Sequence, residues 1–196
     1  MLVSFPIDDD HDVEAVFVRF LGEFAVYADC RHRSKVEDGV DLNGLSAAER
    51  LAIWIYSSTD SDFYARINGE LWSPPCSAEV SEFSEILHLA LRKLPAHDGI
   101  TYRGYNAANF DDFLDQFEPG ITIRWPGFTS STLDRAEAYE GNVLFIIRSH
   151  NGRILGLYAD DPGEREVLFP GGTRFQVLSV ERDDDAAVIE LEEVPA

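Results

Sequence analysis

The sequence predicts an α+β domain, because helical patterns fill its first half and strand patterns fill its second half. In the first half, apolar residues recur every three or four positions, which is the spacing of a helix that buries one face. From Gly99 onward, short apolar runs and alternating apolar residues are separated by turn-forming residues, as in strands. This order favours N-terminal helices packed on two antiparallel-rich β-sheets.

The helical half contains three strong amphipathic patterns and one short one. The first starts at Asp12 and keeps one apolar stripe as far as Phe24. The second starts at a capping box, in which Ser46 is followed three residues later by Glu49. A short helix over residues 63–69 is predicted to stop at an Asn-Gly pair. The clearest stripe precedes Pro95 and consists of Phe83, Ile86, Leu87, Ala90, Leu91 and Leu94.

A polar link over residues 31–43 separates the first helix from the rest. It mixes charges of both signs and is followed by Gly44, which breaks regular structure. We therefore predict an N-terminal helical appendage over residues 1–44 and a main domain over residues 45–196.

The second half reads as strands with one short helix inserted. The helical spacing covers residues 110–117, and the hydroxyl-rich run described below follows an apolar strand. The predicted strands cover residues 100–103, 121–125, 142–148, 167–169, 175–180 and 187–191.

The charge of the chain limits its partners. The formal net charge is −20, and Lys35 and Lys93 are its two lysines. Binding to the nucleic-acid backbone depends on a basic surface, so nucleic acid is not an expected partner. A basic protein is a better match for this charge.

No stretch of the sequence has the length and apolar character of a secretory signal or a membrane span. We expect a soluble protein that is cytoplasmic, or that reaches a target cell by a route without a cleaved signal peptide. Cys30 and Cys76 lie far apart and show no metal-ligand or redox spacing, so both are interpreted as ordinary thiols.

Glu164 and Glu166 stand at the start of an apolar strand. Side chains two residues apart on a strand leave from the same face, so a strand that begins at Glu164 points both carboxylates into one site. Each then raises the pKa of the other, which allows one to act as a base near neutral pH. With 36 acidic residues in 196, chance alone gives about six or seven acid-x-acid triplets, so the pair needs supporting motifs.

Two further segments supply that support. In the first, Arg103 closes a strand and is followed by Gly104, which allows a ligand to approach the backbone. A guanidinium matches a phosphate or pyrophosphate, although a surface ion pair is an open alternative. In the second, four hydroxyl residues stand in a row over residues 129–132. They suit helix capping, or they hold a ribose or orient a carboxylate. No histidine has the context of a serine-protease base, so Ser130 is not interpreted as a nucleophile.

These three segments, in this order, resemble the arginine, serine, glutamate class of ADP-ribosyltransferases. That group includes iota-like and C3-like bacterial toxins and the arginine-specific vertebrate enzymes. The resemblance covers roughly residues 45–181, because the helix that opens at Ser46 and the Arg66-Ile67-Asn68 segment also look like the family's N-terminal helical part. It implies the ADP-ribosyltransferase fold, with an NAD cleft formed by the two sheets.

The resemblance also implies a role for each motif residue. Arg103 is expected to grip NAD through its phosphates, and Gly104 to offer backbone groups to the nicotinamide amide. Ser130 is expected to hold the catalytic glutamate and the nicotinamide-side ribose. Glu166 matches the catalytic glutamate that stabilises the oxocarbenium-like cation as nicotinamide leaves. Glu164 matches the glutamate that orients and deprotonates an acceptor guanidinium, which favours arginine as the acceptor.

Two positions depart from the family pattern. The nicotinamide-stacking aromatic is normally phenylalanine, and Tyr139 is the nearest candidate here. The hydroxyl motif reads Ser130-Ser131-Thr132, which keeps every hydroxyl of the usual form. A turn-rich loop before Glu164 contains Tyr158, which is predicted to point outward and contact the substrate protein.

The resemblance therefore implies an NAD-dependent mono-ADP-ribosyltransferase that acts on arginine, with NAD as co-substrate, as a bacterial toxin or effector. The chemistry agrees, since a glycosyl transfer through an oxocarbenium-like state calls for carboxylates and for no metal. The expected partners are an arginine-bearing target protein and a cognate inhibitor or immunity protein; a membrane is not expected. The alternatives are an NAD glycohydrolase on the same site and a catalytically inactive binding module of the same fold.

Overall fold

The structure, a computed structural model, describes residues 10–34, 43–59 and 62–195. The chain divides into two compact units, Met1–Lys93 and Leu94–Ala196. The predicted boundary at residue 44 falls inside the first unit, and residues 35–42 of the predicted polar link lie outside the described residues. The separation of an appendage from a domain over residues 45–196 therefore stays a prediction.

The first unit is helical, as the sequence predicts. Its helices are α1 (Asp10–Leu21), α2 (Phe24–Arg33), α3 (Ala47–Ser57), α4 (Phe63–Trp72) and α5 (Ala78–Lys93). Within the three described ranges, no helix combines the length and apolar character needed to cross a bilayer. Cys30 and Cys76 are free thiols.

The continuous first helix predicted from Asp12 to Phe24 is wrong, because the chain breaks after Leu21. Gly22 adopts a left-handed conformation with φ of 81°, which ends α1 in the way that a C-terminal glycine commonly does. Phe24 opens α2 and is 60% exposed, so it does not belong to the buried stripe.

The capping box at the start of α3 is confirmed. The backbone N–H of Glu49 donates to the Ser46 hydroxyl at 3.2 Å, and the N–H of Ser46 donates to the Glu49 carboxylate at 2.6 Å. That carboxylate is buried and also accepts a hydrogen bond from Lys93 Nζ at 2.7 Å. The cap therefore ties the start of α3 to the end of α5.

Aromatic side chains form much of the core of the first unit. Phe20 stacks on Phe83 with ring centroids 4.5 Å apart, and Phe17 meets the edge of the same ring at 5.9 Å. These contacts join α1 to α5. The predicted stop of α4 at Asn68-Gly69 is wrong, since the helix continues to Trp72. The buried Ile67 and the bond from Asn68 Nδ2 to the Tyr56 hydroxyl offset the cost of a glycine inside a helix, about 1 kcal/mol.

The second unit carries the strands and one short helix, α6 (Phe110–Leu114). All six predicted strand segments are found, and several are longer than predicted. The strands are β1 (Ala96–Tyr105), β2 (Thr122–Arg124), β3 (Thr129–Thr132), β4 (Val143–Ile154), β5 (Glu166–Phe169), β6 (Arg174–Asp183) and β7 (Ala186–Val194).

The seven strands form one hydrogen-bonded sheet in the order β1-β3-β5-β4-β7-β6-β2, and β1 also pairs with β4. The α+β class is confirmed, but the division into two separate sheets is wrong, because the long strand β4 pairs with β1, β5 and β7. Strands β1, β3, β5 and β4 thereby close into a ring. The β4–β7 pair is parallel, and the other pairs are antiparallel.

The core of the second unit lies between β4, β7, β6 and α6. Phe145 of β4 packs against Phe117, with ring centroids 5.5 Å apart, and against Trp125, at 5.3 Å. Phe169 of β5 meets the edge of Phe175 at 5.2 Å. The end of β5 is thus embedded in the core, which fixes the strand that carries Glu166.

Candidate active site

Three neighbouring strands bring the three sequence motifs together. Tyr102 of β1 faces Thr132 of β3, and Thr132 faces Glu166 of β5. Ser130 lies two residues from Thr132 and so shares its side of β3. Arg103, Ser130 and Glu166, which are distant in sequence, therefore meet on one part of the sheet.

Arg103 contacts the backbone of the hydroxyl motif. Its Nη1 donates a hydrogen bond to the carbonyl oxygen of Ser130 at 2.8 Å. The side chain is half-buried, and its positive charge lowers the pKa of Glu166. The guanidinium is therefore held beside β3.

Glu166 is a buried carboxylate whose pKa is raised to about 7. It is 7% exposed, and its burial is the largest cause of the shift, because desolvation penalises the ionised form. A hydrogen bond from the Ser130 side chain lowers the pKa, the negative charge of Glu164 raises it, and the charge of Arg103 lowers it. The carboxyl group thus titrates near neutral pH.

Glu164 does not lie on the strand, so the prediction that the pair shares one strand face is wrong. It ends a short 3-10 turn, Pro162–Glu164, and β5 begins only at Glu166. Between them Arg165 adopts the left-handed conformation with φ of 51° and ends the turn. Even so, the two carboxylates are close enough for Glu164 to raise the pKa of Glu166.

The Glu164 carboxylate lies in an acidic neighbourhood and is exposed. Partial desolvation raises its pKa most, and the nearby charges of Asp161, Asp160 and Glu137 raise it further. Its backbone is fixed, since the Thr132 hydroxyl donates to the Glu164 carbonyl at 3.0 Å. The N–H of Leu133 likewise donates to the carbonyl of Arg165 at 3.3 Å.

Gly104 and Tyr139 lie in contact. A Cβ atom added to Gly104 would stand 1.6 Å from the carbonyl oxygen of Tyr139, so only glycine fits this position. The group that approaches the Gly104 backbone in this structure is thus a segment of the same chain. The Tyr139 side chain itself is 71% exposed.

Tyr158 is buried, so the prediction that its loop presents it outward is wrong. It is 7% exposed and lies in a 3-10 turn, Gly156–Tyr158, whereas its neighbour Leu157 is 60% exposed. Tyr158 has little surface left with which to contact a substrate protein.

The sequence reasoning missed Glu137 and Asn142. Glu137 lies in the turn Arg135–Glu137, close enough to raise the pKa of Glu164. Asn142 bonds through its side chain to Ala107, near the end of the strand that carries Arg103. The Gly-Asn pair before an apolar strand is a turn signal that could have pointed to Asn142. Nothing local marks Glu137 among the many exposed acids.

A metal is not required by this set of groups, which joins a buried carboxyl, a hydroxyl and a guanidinium. Such a set can stabilise positive charge that develops on a substrate and can hold an anionic group beside it. Among residues 10–34, 43–59 and 62–195, no three His, Cys, Asp or Glu side chains are placed to hold a metal ion.

Comparison with known proteins adds to this geometry. A sequence model described as NAD:arginine ADP-ribosyltransferase matches residues 28–195. The chain belongs to the NAD:arginine ADP-ribosyltransferase family.

Curated proteins similar to this chain are longer than it is. Mav of Mycobacterium avium (strain 104) is 30% identical over 170 residues, which cover 82% of this chain and 20% of Mav. The NAD(+)–protein-arginine ADP-ribosyltransferase Tre1 of Serratia proteamaculans (strain 568) is 29% identical over 142 residues, which cover 72% of this chain and 31% of Tre1. The chain thus spans less than a third of either relative.

Solved structures support the fold of this family. The type III effector XopAI of Xanthomonas axonopodis pv. citri superposes with a TM-score of 0.78 at 18% identity. The superposition covers 98% of this chain and 89% of the XopAI chain. The ADP-ribosyltransferase Vis of Vibrio splendidus superposes with a TM-score of 0.68 at 22% identity, over 97% of this chain and 88% of the Vis chain. At these identities the likeness concerns the fold alone, and it confirms the ADP-ribosyltransferase fold.

Proposed function

We propose that this chain is an NAD-dependent mono-ADP-ribosyltransferase that transfers ADP-ribose to an arginine of a target protein and releases nicotinamide. The observation that carries the proposal is the unequal pair of carboxylates. Glu166 is buried beside Ser130 and Arg103, whereas Glu164, two residues earlier, is exposed. Membership of the NAD:arginine ADP-ribosyltransferase family supports it, and the bacterial relatives support a bacterial toxin or effector as its setting.

NAD binds through groups at the end of β1 in this proposal. Arg103 pairs with the pyrophosphate, because a planar guanidinium binds two phosphate oxygens at once. Gly104 offers its backbone groups to the nicotinamide amide, and the ring of Tyr139, an exposed residue whose carbonyl lies against Gly104, stacks on the nicotinamide. The contact between Gly104 and the Tyr139 backbone supports placing both residues at one subsite.

Glu166 acts on the bond that breaks. The bond between nicotinamide and C1′ of the ribose opens with its electron pair staying on nicotinamide, so positive charge develops on the ribose. An ionised Glu166, oriented by the Ser130 hydroxyl, hydrogen-bonds the ribose 2′-hydroxyl and stabilises that charge. The low-dielectric surroundings strengthen this interaction and disfavour the carboxylate before the charge appears.

Glu164 acts on the acceptor. A guanidinium nitrogen attacks C1′ with its lone pair and gives up one proton, which the Glu164 carboxylate takes. The raised pKa of Glu164 suits a group that must accept a proton. Its exposure leaves it accessible to an arginine carried by another protein.

The target is a protein that carries an accessible arginine, and the net charge of −20 favours a basic surface around it. The cognate inhibitor or immunity protein implied by the resemblance remains a prediction. Delivery into a target cell by a route without a cleaved signal peptide likewise remains a prediction.

The separate roles predict different losses in two variants. Glu166→Ala should remove both nicotinamide release and transfer, by about a hundredfold or more, because the charge-stabilising group is lost. Glu164→Ala should remove transfer to agmatine, a small guanidine, while keeping measurable NAD hydrolysis. Nicotinamide release and ADP-ribosyl-agmatine are both measured by chromatography, with labelled NAD.

Glu118→Ala removes an exposed glutamate of the same unit and serves as the control, with activity expected at the level of the unchanged chain. Normal transfer by Glu166→Ala would overturn the site assignment. If the unchanged chain hydrolyses NAD but modifies neither agmatine nor an arginine-rich protein, it is an NAD glycohydrolase on the same site.

A further inference from the structure

Two backbone segments cross closely beside Arg103. One is the end of β1 at Gly104 and Tyr105, and the other is the segment 139–141 that leads into β4. An added Cβ at Gly104 would lie 1.6 Å from the Tyr139 carbonyl oxygen, and one at Gly141 would lie 2.3 Å from the Tyr105 carbonyl oxygen. Both crossing points therefore require glycine, because at each of them the nearest atoms of the other segment are backbone atoms.

The Asn142 side chain forms two hydrogen bonds that hold the two segments together. The N–H of Ala107 donates to Asn142 Oδ1 at 2.7 Å, and Asn142 Nδ2 donates to the carbonyl oxygen of Ala107 at 3.0 Å. A side-chain amide carries both a donor and an acceptor, so it can pair with both backbone groups of one residue. The Asn142 carbonyl also accepts a hydrogen bond from Ala187 N at 2.9 Å, which anchors Asn142 to β7.

These hydrogen bonds hold the segment 139–141, which contains the exposed residue Tyr139. Tyr139 stands three residues before Asn142, its carbonyl lies against Gly104, and its side chain is 71% exposed. Asn142 itself is half-buried and is tied to Ala107, which belongs to the core. The position of the Tyr139 ring relative to Gly104 and Arg103 thus depends on a pair of hydrogen bonds outside the motifs.

We propose that Asn142 is a positioning residue for NAD: its paired hydrogen bonds with Ala107 hold the segment 139–141 against Gly104, and so preorganise the nicotinamide subsite. This inference rests on the proposed function. Asn142 acts through Tyr139 and Gly104 and does not itself touch the dinucleotide. A site that is ordered before binding loses less conformational entropy when its ligand arrives, so releasing the segment weakens binding.

The test measures binding of carba-NAD, whose nicotinamide bond is not cleaved, by calorimetry on the full chain. Asn142→Ala removes both hydrogen bonds and should raise the Kd by about tenfold, because the segment is no longer ordered before binding. Asn142→Asp keeps an acceptor for Ala107 N–H but, when ionised, cannot donate to the Ala107 carbonyl. The Kd of Asn142→Asp should lie between that of the unchanged chain and that of Asn142→Ala. If Asn142→Ala does not fold, Asn142→Asp tests in its place whether the paired hydrogen bonds position the segment.

A loss of stability alone must be separated from a loss of positioning. Thr173→Val is the matched control, because it removes a side-chain bond to a backbone carbonyl, from Thr173 Oγ1 to Pro170 at 2.6 Å, beyond the far end of β5 from Glu166. It should lower the melting temperature and leave the Kd for carba-NAD unchanged.

A double-mutant cycle with Tyr139→Ala tests the route of the effect. If Asn142 acts by placing Tyr139, the Asn142→Ala change should raise the Kd by less than about threefold once the ring is gone, since coupled residues are not additive. An equal tenfold effect in both backgrounds, or an unchanged Kd in Asn142→Ala, would overturn the inference. Absence of carba-NAD binding by the unchanged chain would instead overturn the proposed function.

Discussion

At the scale of single residues, burial of Glu166 lowers the stability of the folded chain when the carboxyl group is ionised, but it suits the chemical role proposed for that group. Its carboxyl group is buried, so the ionised form is disfavoured, and its pKa rises from 4.5 to about 7. Ser130 and Arg103 recover part of that cost by favouring the charged form. A carboxylate that stabilises a cation in a site closed to water has to be buried in this way, at the expense of the folded state.

This cost predicts how the stability of the chain depends on pH. A carboxyl group with a raised pKa favours folding below its unfolded pKa of 4.5, and that contribution is lost as the pH rises through about 7. The shift corresponds to about 3 kcal/mol. Glu166→Gln keeps the shape without the charge, so it should be close to the unchanged chain at pH 4.5 and more stable by up to about 3 kcal/mol at pH 8.

Urea denaturation at the two pH values measures this difference. Glu118→Gln, at an exposed position, should show no such growth of the stability difference with pH. A Glu166→Gln variant that is less stable than the unchanged chain at pH 8 would show that the ionised carboxylate is a net stabilising group, contrary to its burial.

Residue types and their order were enough to predict which side chains meet. They were not enough to predict the local backbone geometry. Arg103, Ser130 and Glu166 come together as predicted. Arg103 and Glu166 lie on strands whose apolar pattern is clear, whereas Ser130 lies on β3, a hydroxyl-rich strand with no apolar pattern of its own. Glu164 was wrongly predicted to begin the strand, and Tyr158 was wrongly predicted to point outward, because each lies in a 3-10 turn for which the sequence shows no periodic pattern. The positive φ of Arg165 has no signal in the sequence either, since glycine or asparagine is the usual residue there.

At the scale of elements, the segment between β4 and β5 has two 3-10 turns as its regular structure, and hydrogen bonds hold it in place. Tyr158 is buried at one end, and β5 begins at the other. Asp161 caps the second turn by accepting from Gly163 N at 2.8 Å, and Thr132 holds the Glu164 carbonyl. The proposed acceptor glutamate is therefore held by bonds to the chain rather than by a strand.

Thr132→Val tests this anchoring. The change keeps the shape of the side chain but removes its bonds to the Glu164 carbonyl and from Asp134 N, which is 3.1 Å away. Because Glu164 is proposed to act on the acceptor alone, transfer to agmatine should fall by about tenfold and NAD hydrolysis by less than about threefold, as expected for a misplaced reacting group.

Ser131→Ala is the control on the same strand, because it also removes one bond to a backbone carbonyl, that of Val167 at 2.9 Å, but not one to Glu164. Ser131→Ala should either lower transfer and NAD hydrolysis by the same factor or leave both unchanged. Equal losses of transfer and hydrolysis in Thr132→Val would mean that the hydroxyl supports the whole site rather than the acceptor glutamate.

Elements were predictable where a local signal agreed with burial. The capping box at Ser46 and the long stripe of α5 are examples, since both signals act within one or two helical turns. The break at Gly22 was missed, because apolar residues on its two sides happen to keep a helical spacing. The ring of strands was missed because it depends on which strands pair, which periodicity along one chain does not contain.

At the scale of the whole molecule, a net charge of −20 acts on any partner that approaches. The field attracts a cationic protein and is screened over about 8 Å at physiological salt. Transfer to an arginine-rich basic protein should therefore slow as sodium chloride rises from about 25 to 300 mM, because association depends on the summed charges of both proteins.

Transfer to agmatine at saturating NAD is the comparison, since a small cation carries far less charge than a protein. Its rate should change several times less over the same salt range. A protein acceptor with the same weak dependence as agmatine would show that the acidic surface does not steer the target.

The ring of β1, β3, β5 and β4 has a further consequence for how proteins meet this molecule. Within the described part of the chain, each strand of the ring has partners on both sides, and the sheet ends at β2, which is three residues long. Strand β5, which carries Glu166, is paired with β3 on one side and with β4 on the other, whereas β1 is paired along its length with β4 and meets β3 at Tyr102 and Thr132. Addition of a peptide strand at β5 would have to displace β3 or β4, so we expect contact with other chains beside Glu166 to be made by turns and side chains.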